Sequence, residues 1–159
     1  MTIKLKLKPD WYSSEKYDEK QLIDRLKISF ETMMLTFSLI LTNFFILQYY
    51  GPWAADTTEM TILYSIPATY FMIRSVTKEA LFVKNEKNGV FLLVLFALTG
   101  IMMMLISVIT IVVNDMPIIE NGLMSAELSS FFIGLPLLSA SIAYLIKKIT
   151  QKNVEENEE

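Results

Sequence analysis

Val90 to Val113 reads VFLLVLFALTGIMMMLISVITIVV, 24 residues without a charged side chain. An α-helix rises about 1.5 Å per residue, so this run is long enough to cross a hydrocarbon core of about 30 Å. Three similar stretches flank it. Leu128–Ile146 and Thr32–Tyr50 are each 19 residues without a charge, and Ile28–Glu31 leads into the second. Thr61–Ile73 is uncharged, and its apolar pattern resumes at Ala80–Val83. This last stretch spans if its helix begins near Thr57 and its basic end snorkels to the boundary. The reading is an all-α membrane protein with four transmembrane helices, packed as a four-helix bundle. The spans are expected at about 28–50, 57–83, 90–113 and 127–147, within a transmembrane domain of 28–150.

The charges test that count. All 14 Lys and Arg fall in three groups: seven before Ile28, four at Arg74, Lys78, Lys84 and Lys87, and three at Lys147, Lys148 and Lys152. Gly51–Met60 and Asn114–Glu127 carry acids but no base. Bases are retained on the cytoplasmic side, so both termini and the middle connection are expected in the cytosol. The first apolar run begins late and is longer than a signal-peptide core, which predicts an uncleaved anchor. Such a chain suits a bacterial plasma (inner) membrane, with the lipid bilayer as its first partner.

Composition narrows the chemistry. The chain has 53% hydrophobic and 19% charged residues and a mean hydropathy of +0.42. It has no Cys and no His, which removes disulfides, thiolate chemistry, Ser-His-Asp triads and HExxH metal sites. No catalytic residue, cofactor site or metal site is expected, and the chain is read as a non-enzyme. Its bases are clustered, but no nucleic-acid-binding module accompanies them, so direct nucleic-acid binding is not expected. Met102-Met103-Met104 lacks matching soft ligands and reads as packing rather than copper binding.

The first 27 residues form a basic, cytosolic region. Met1–Lys8 alternates apolar and basic residues until Pro9, as a short strand or a basic tail would. Trp11 and Tyr12 suit an interface. Tyr17, Leu22, Ile23, Leu26 and Phe30 then recur at helical spacing, with Asp18 and Gln21 at capping-box distance. This amphipathic N-terminal helix either lies along the membrane or continues into the first span. Its residues Leu22, Ile23 and Leu26 are the candidate partner surface. At the other end, residues 151–159 form an acidic cytosolic tail, whose end Glu155–Glu159 is expected to be unstructured.

Polar residues inside the spans are the remaining candidates. Glu31 opens the first span and Arg74 closes the second, so antiparallel helices bring them to one depth as an ion pair. The structural reading is a helix start beside a snorkelling partner; the functional one is a proton-binding or coupling carboxylate. Asn43 and Gln48 are candidates for hydrogen bonds between helices. Pro67 and Pro136 are candidate helix bends. Gly100 with Ala97 and Ser107, and Ser130, Gly134, Ser139 and Ala143, give small faces for close approach. Gly51-Pro52-Trp53 predicts a turn and an interface anchor, and Asp56 with Glu59 a capping box for the second span. Lys84–Gly89 predicts a tight polar turn.

Asp24–Phe82, with Lys27-Ile28-x-x-Glu31 opening one span and Phe71-Met72-Ile73-Arg74 closing the next, resembles a group of small uncharacterised multi-span membrane proteins of low-GC Gram-positive bacteria. Members are often encoded beside helix-turn-helix regulators. Ser75 stands where that group is expected to carry Asn. The resemblance implies a bacterial inner-membrane protein of unknown function, with regulation as one open role, and it supplies no catalytic residue. The large cytosolic charge, the short outer connections and the lack of reaction chemistry make the expected function a non-enzymatic accessory or regulatory subunit that binds a cytosolic or membrane protein partner. The alternative is a small transporter or exporter subunit working as a homo-oligomer. Four spans with a carboxylate in the first resemble the small multidrug-resistance exporters, whose acid lies at mid-membrane. A membrane enzyme is the third class, disfavoured without His and Cys.

Overall fold

The computed structural model describes residues 19–82 and 89–158. Four helices carry the fold: α1 (Glu19–Tyr50), α2 (Asp56–Thr77), α3 (Gly89–Val113) and α4 (Ser129–Glu158). Two short strands, β1 (Ile119–Glu120) and β2 (Leu123–Met124), and a 3-10 turn at Ala126–Leu128 join α3 to α4. Among the described residues, three segments are long and apolar enough to cross a membrane: α1, α3 and Ala126–Gln151. Helix α2 falls short in apolarity. The expected strand at Met1–Lys8, the anchors Trp11 and Tyr12, the stripe residue Tyr17, the capping residue Asp18 and the turn at Lys84–Asn88 lie outside the described residues.

The helices do not close into a bundle. Helix α1 packs substantially only on α2, α2 also packs on α4, and α4 packs on α3. The result is an open layer in the order α1–α2–α4–α3. Consequently only Ile28 and Asn43 of α1 are buried. Thr32 and Thr36 donate their hydroxyls to the carbonyls of Ile28 and Thr32, both at 2.8 Å, so neither brings an unmet donor to the apolar helix.

The closest packing lies between α3 and α4. Gly100 faces Gly134, and their contact is flanked by two hydroxyl-to-backbone bonds of 2.6 Å, Ser141 Oγ to Leu93 O and Ser107 Oγ to Glu127 O. These contacts step seven residues forward on α3 and seven back toward the start of α4. That is the two-turn repeat of an antiparallel coiled-coil seam, here built from small residues. Val76, Leu93, Ala140 and Ala143 form the buried core, with Met72, Leu81, Phe82, Phe96 and Tyr144 around it.

Several expected boundaries shift. The second span was expected to reach 83, but α2 ends at Thr77. Glu79 adopts φ 56°, its N–H bonds to Val76 O, and Ala80 N–H bonds to Ser75 O. This paired closure is a Schellman motif, and it places Ala80 in the interior at 1% exposure. The apolar pattern at Ala80–Phe82 therefore covers the end of the core instead of prolonging the helix. The boundary expected at 27/28 falls inside α1, which is continuous through it. The tail expected to be unstructured continues α4 to Glu158. After Pro136 that segment has no Gly or Pro, and its Lys, Gln and Glu residues are good helix formers.

At the opposite end, Asn121 (φ 52°) and Gly122 (φ 84°) make a two-residue turn between β1 and β2, with Ile119 opposite Met124 and Glu120 opposite Leu123. Two consecutive left-handed residues match the right-handed twist of the strands. The hairpin is tied to the α1–α2 connection by Met124 N–H to Trp53 O (3.1 Å) and Ala55 N–H to Met124 O (2.8 Å). Thr58 Oγ1, wholly buried, donates to Ser125 O at 2.7 Å. We call this the hairpin end, and the opposite one the lysine end.

Candidate functional site

Polar groups gather at three depths. Near the lysine end of the α1–α2 contact, Glu31 Oε2 accepts a 2.6 Å hydrogen bond from the Tyr70 hydroxyl and lies 3.5 Å from Arg74 Nη2. Tyr70 and Arg74 are one turn apart on α2, so both donors reach a single carboxylate from one helix face. Arg74 Nε is buried without a hydrogen-bond acceptor. The carboxylate is held by a phenol and a guanidinium together, which suits a clamp between helices. Tyr70 was not singled out by the sequence. The available signal was its four-residue spacing from Arg74.

Near the hairpin end, Asn43 Nδ2 donates to Glu59 Oε1 at 2.7 Å, while Trp53 Nε1 donates to Asn43 Oδ1 at 2.8 Å. The two bonds fix the orientation of the amide, because only its oxygen accepts and only its nitrogen donates. Asn43 and Glu59 are 8% and 7% exposed. The capping box expected at Asp56 and Glu59 does not form: Ala55 is the N-cap, with no side-chain cap. Glu59 instead turns toward α1, where the Asn43 amide offers a donor. Gln48, the other candidate for an interhelical bond, is exposed on α1. Asn43 faces α2, and five residues further along Gln48 has rotated to another side of the helix.

The third group sits at the lysine end. Lys147 Nζ on α4 donates to Glu79 Oε1 at 2.7 Å, and Gln21 Nε2 on α1 donates to Glu79 O at 2.7 Å. Three helices thus meet at the turn that closes α2. The Lys147 hydrogen bond and charge hold the Glu79 carboxyl below its ordinary pKa, with a smaller push from Lys20. Two hollows of about 500 and 440 Å³ open beside this junction. An apolar groove of about 890 Å³ leads from it between α2 and α4.

Pro67 and Pro136 are buried, and α2 and α4 run through them without interruption. Ile23 and Leu26 are 60% and 64% exposed, while Leu22 is half-buried. Among the described residues no cluster of acids could hold a metal ion. Comparison with protein-family models, with curated proteins and with solved structures returns no match to this chain.

Proposed function

We propose that the protein is a non-enzymatic, four-span subunit of a bacterial inner membrane, with both termini in the cytosol, that binds a protein partner through the cytosolic end of α1. The position of α2 supports its spanning: it packs between α1 and α4, and its 22 residues extend about 33 Å. Its charged residues Asp56, Glu59 and Arg74 lie near its two ends, where a boundary tolerates them. The lysine end collects the bases and the hairpin end has acids alone, which supports the orientation.

One observation carries the partner reading. Helix α1 has 32 residues, about 48 Å, and so exceeds the hydrocarbon thickness by about 18 Å. With Tyr50 at the outer boundary, the hydrocarbon ends near Phe30, and the turns before it stand in the headgroup layer and beyond. Ile23, Leu26 and Phe30 form one exposed stripe there, each at least 60% exposed. An amphipathic helix face of this kind fits a partner's groove.

Photo-crosslinking from positions 23 and 26 in native membranes tests the reading. A discrete protein adduct that disappears in Ile23→Ser/Leu26→Ser at equal abundance is expected. Adducts to lipid alone would overturn it.

A further inference from the structure

Three concavities meet at one side chain. The apolar groove between α2 and α4 is walled by Ile73, Ile142, Ala143 and Ile146 and reaches Lys147. The two hollows at the lysine end include Lys20 and Lys78 in one and Lys148 in the other. Lys147 lines all three. From Ser139 to Gln151 the groove follows about 18 Å of α4, running from the membrane interior to its boundary. An apolar channel that ends in clustered ammonium groups has the chemistry of a phospholipid turned inside out.

We infer that this groove holds an anionic phospholipid of the leaflet at the lysine end. One acyl chain lies along Ile142, Ala143 and Ile146, and the phosphate rests at Lys147, with Lys20, Lys78 and Lys148 around it. Charge complementarity selects this occupant. The two hollows contain four lysines against two acids, Asp24 and Glu79. Glu79 takes one of the three ammonium donors of Lys147, which leaves the others for phosphate oxygens. A zwitterionic lipid brings its own cationic group against the same lysines. Basic pockets between helices at a membrane boundary bind anionic headgroups in this way.

The test uses the full chain in mild detergent, with native mass spectrometry and thermal stability as readouts. The probes are dioleoyl phosphatidylglycerol, dioleoyl phosphatidylcholine and inorganic phosphate. Phosphatidylglycerol is expected to bind at least about tenfold more tightly than phosphatidylcholine, each well-placed lysine contributing about fivefold. Lys147→Gln/Lys148→Gln should cut the preference at least about fivefold. Ile142→Trp, which fills the groove without altering charge, should weaken both lipids. Because Lys147→Gln also breaks the bond to Glu79, Glu79→Gln serves as the control and should keep the preference for phosphatidylglycerol. Equal binding of the two lipids, loss of preference in Glu79→Gln, or full competition by millimolar phosphate would each overturn the assignment.

Discussion

A Cβ placed on Gly134 would lie 2.6 Å from the carbonyl oxygen of Gly100, and one on Gly100 would lie 2.9 Å from the carbonyl oxygen of Gly134. Both obstacles are backbone, which cannot rotate away as a side chain can. The two helices touch main chain to main chain, and small residues are what permit that close approach. Gly134→Ala is therefore expected to separate α3 from α4 and lose about 1–3 kcal/mol of stability. Unfolding in detergent measures it, and a wild-type midpoint in Gly134→Ala would contradict the seam.

Asn43 satisfies Glu59 and Trp53 simultaneously in a buried position. Asn43→Leu leaves both partners without their bonds and should cost about 1–3 kcal/mol, most of it from the stranded acid. Asn43→Leu/Glu59→Leu should recover much of that loss, because an apolar pair needs no partner there. A double variant less stable than Asn43→Leu would show that Glu59 has another role.

Glu31 ties Tyr70 and Arg74 to α1, and the three act as one unit. Tyr70→Phe and Glu31→Gln should each lower the detergent midpoint modestly, and Arg74→Gln should add little once Glu31 is Gln. If Glu31→Gln left the fold unchanged but abolished a proton-coupled flux in vesicles, the transporter alternative would replace the subunit reading.

The Glu79–Lys147 bond should make the junction of α2 and α4 acid-sensitive. Because the folded carboxyl titrates below its ordinary value of 4.5, the bond contributes fully above that value. It is lost as pH falls through the lowered pKa. The midpoint difference between wild type and Glu79→Gln should be present at pH 6 and vanish in stronger acid. A difference that grew on acidification would reverse the sign of the argument. Glu79 is largely exposed, so screening keeps the effect small and salt-sensitive.

Reporter fusions test the topology. Positions 56 and 121 should report outside the cytosol, and positions 85 and 153 inside. An outside signal at 85 would mean that α2 does not cross.

The existence of α1, α3 and α4 was legible in the sequence because each contains an apolar run of 19 or more residues without a charge, and hydrophobicity accumulates residue by residue without reference to neighbours. The Glu31–Arg74 proximity was legible for a related reason: a short connection makes consecutive helices antiparallel, and equal depth follows from counting residues. The local rule failed at Ala80–Phe82, where apolar character recorded burial against other helices and not continuation of α2. It failed again at Glu59, whose spacing from Asp56 fits a cap but whose side chain found Asn43 across the helix contact. The order α1–α2–α4–α3 is not written in any single run. It depends on which small-residue faces meet, and Gly100 and Gly134, far apart in sequence, are recognisable as partners only once α3 and α4 are packed. Lys147 belongs with them: alone it is one base in a cluster near the C-terminus, and only the convergence of α1, α2 and α4 puts it on Glu79 and at the mouth of the groove. Hydrophobic length is a property of the chain, whereas pairing between faces is a property of their mutual fit.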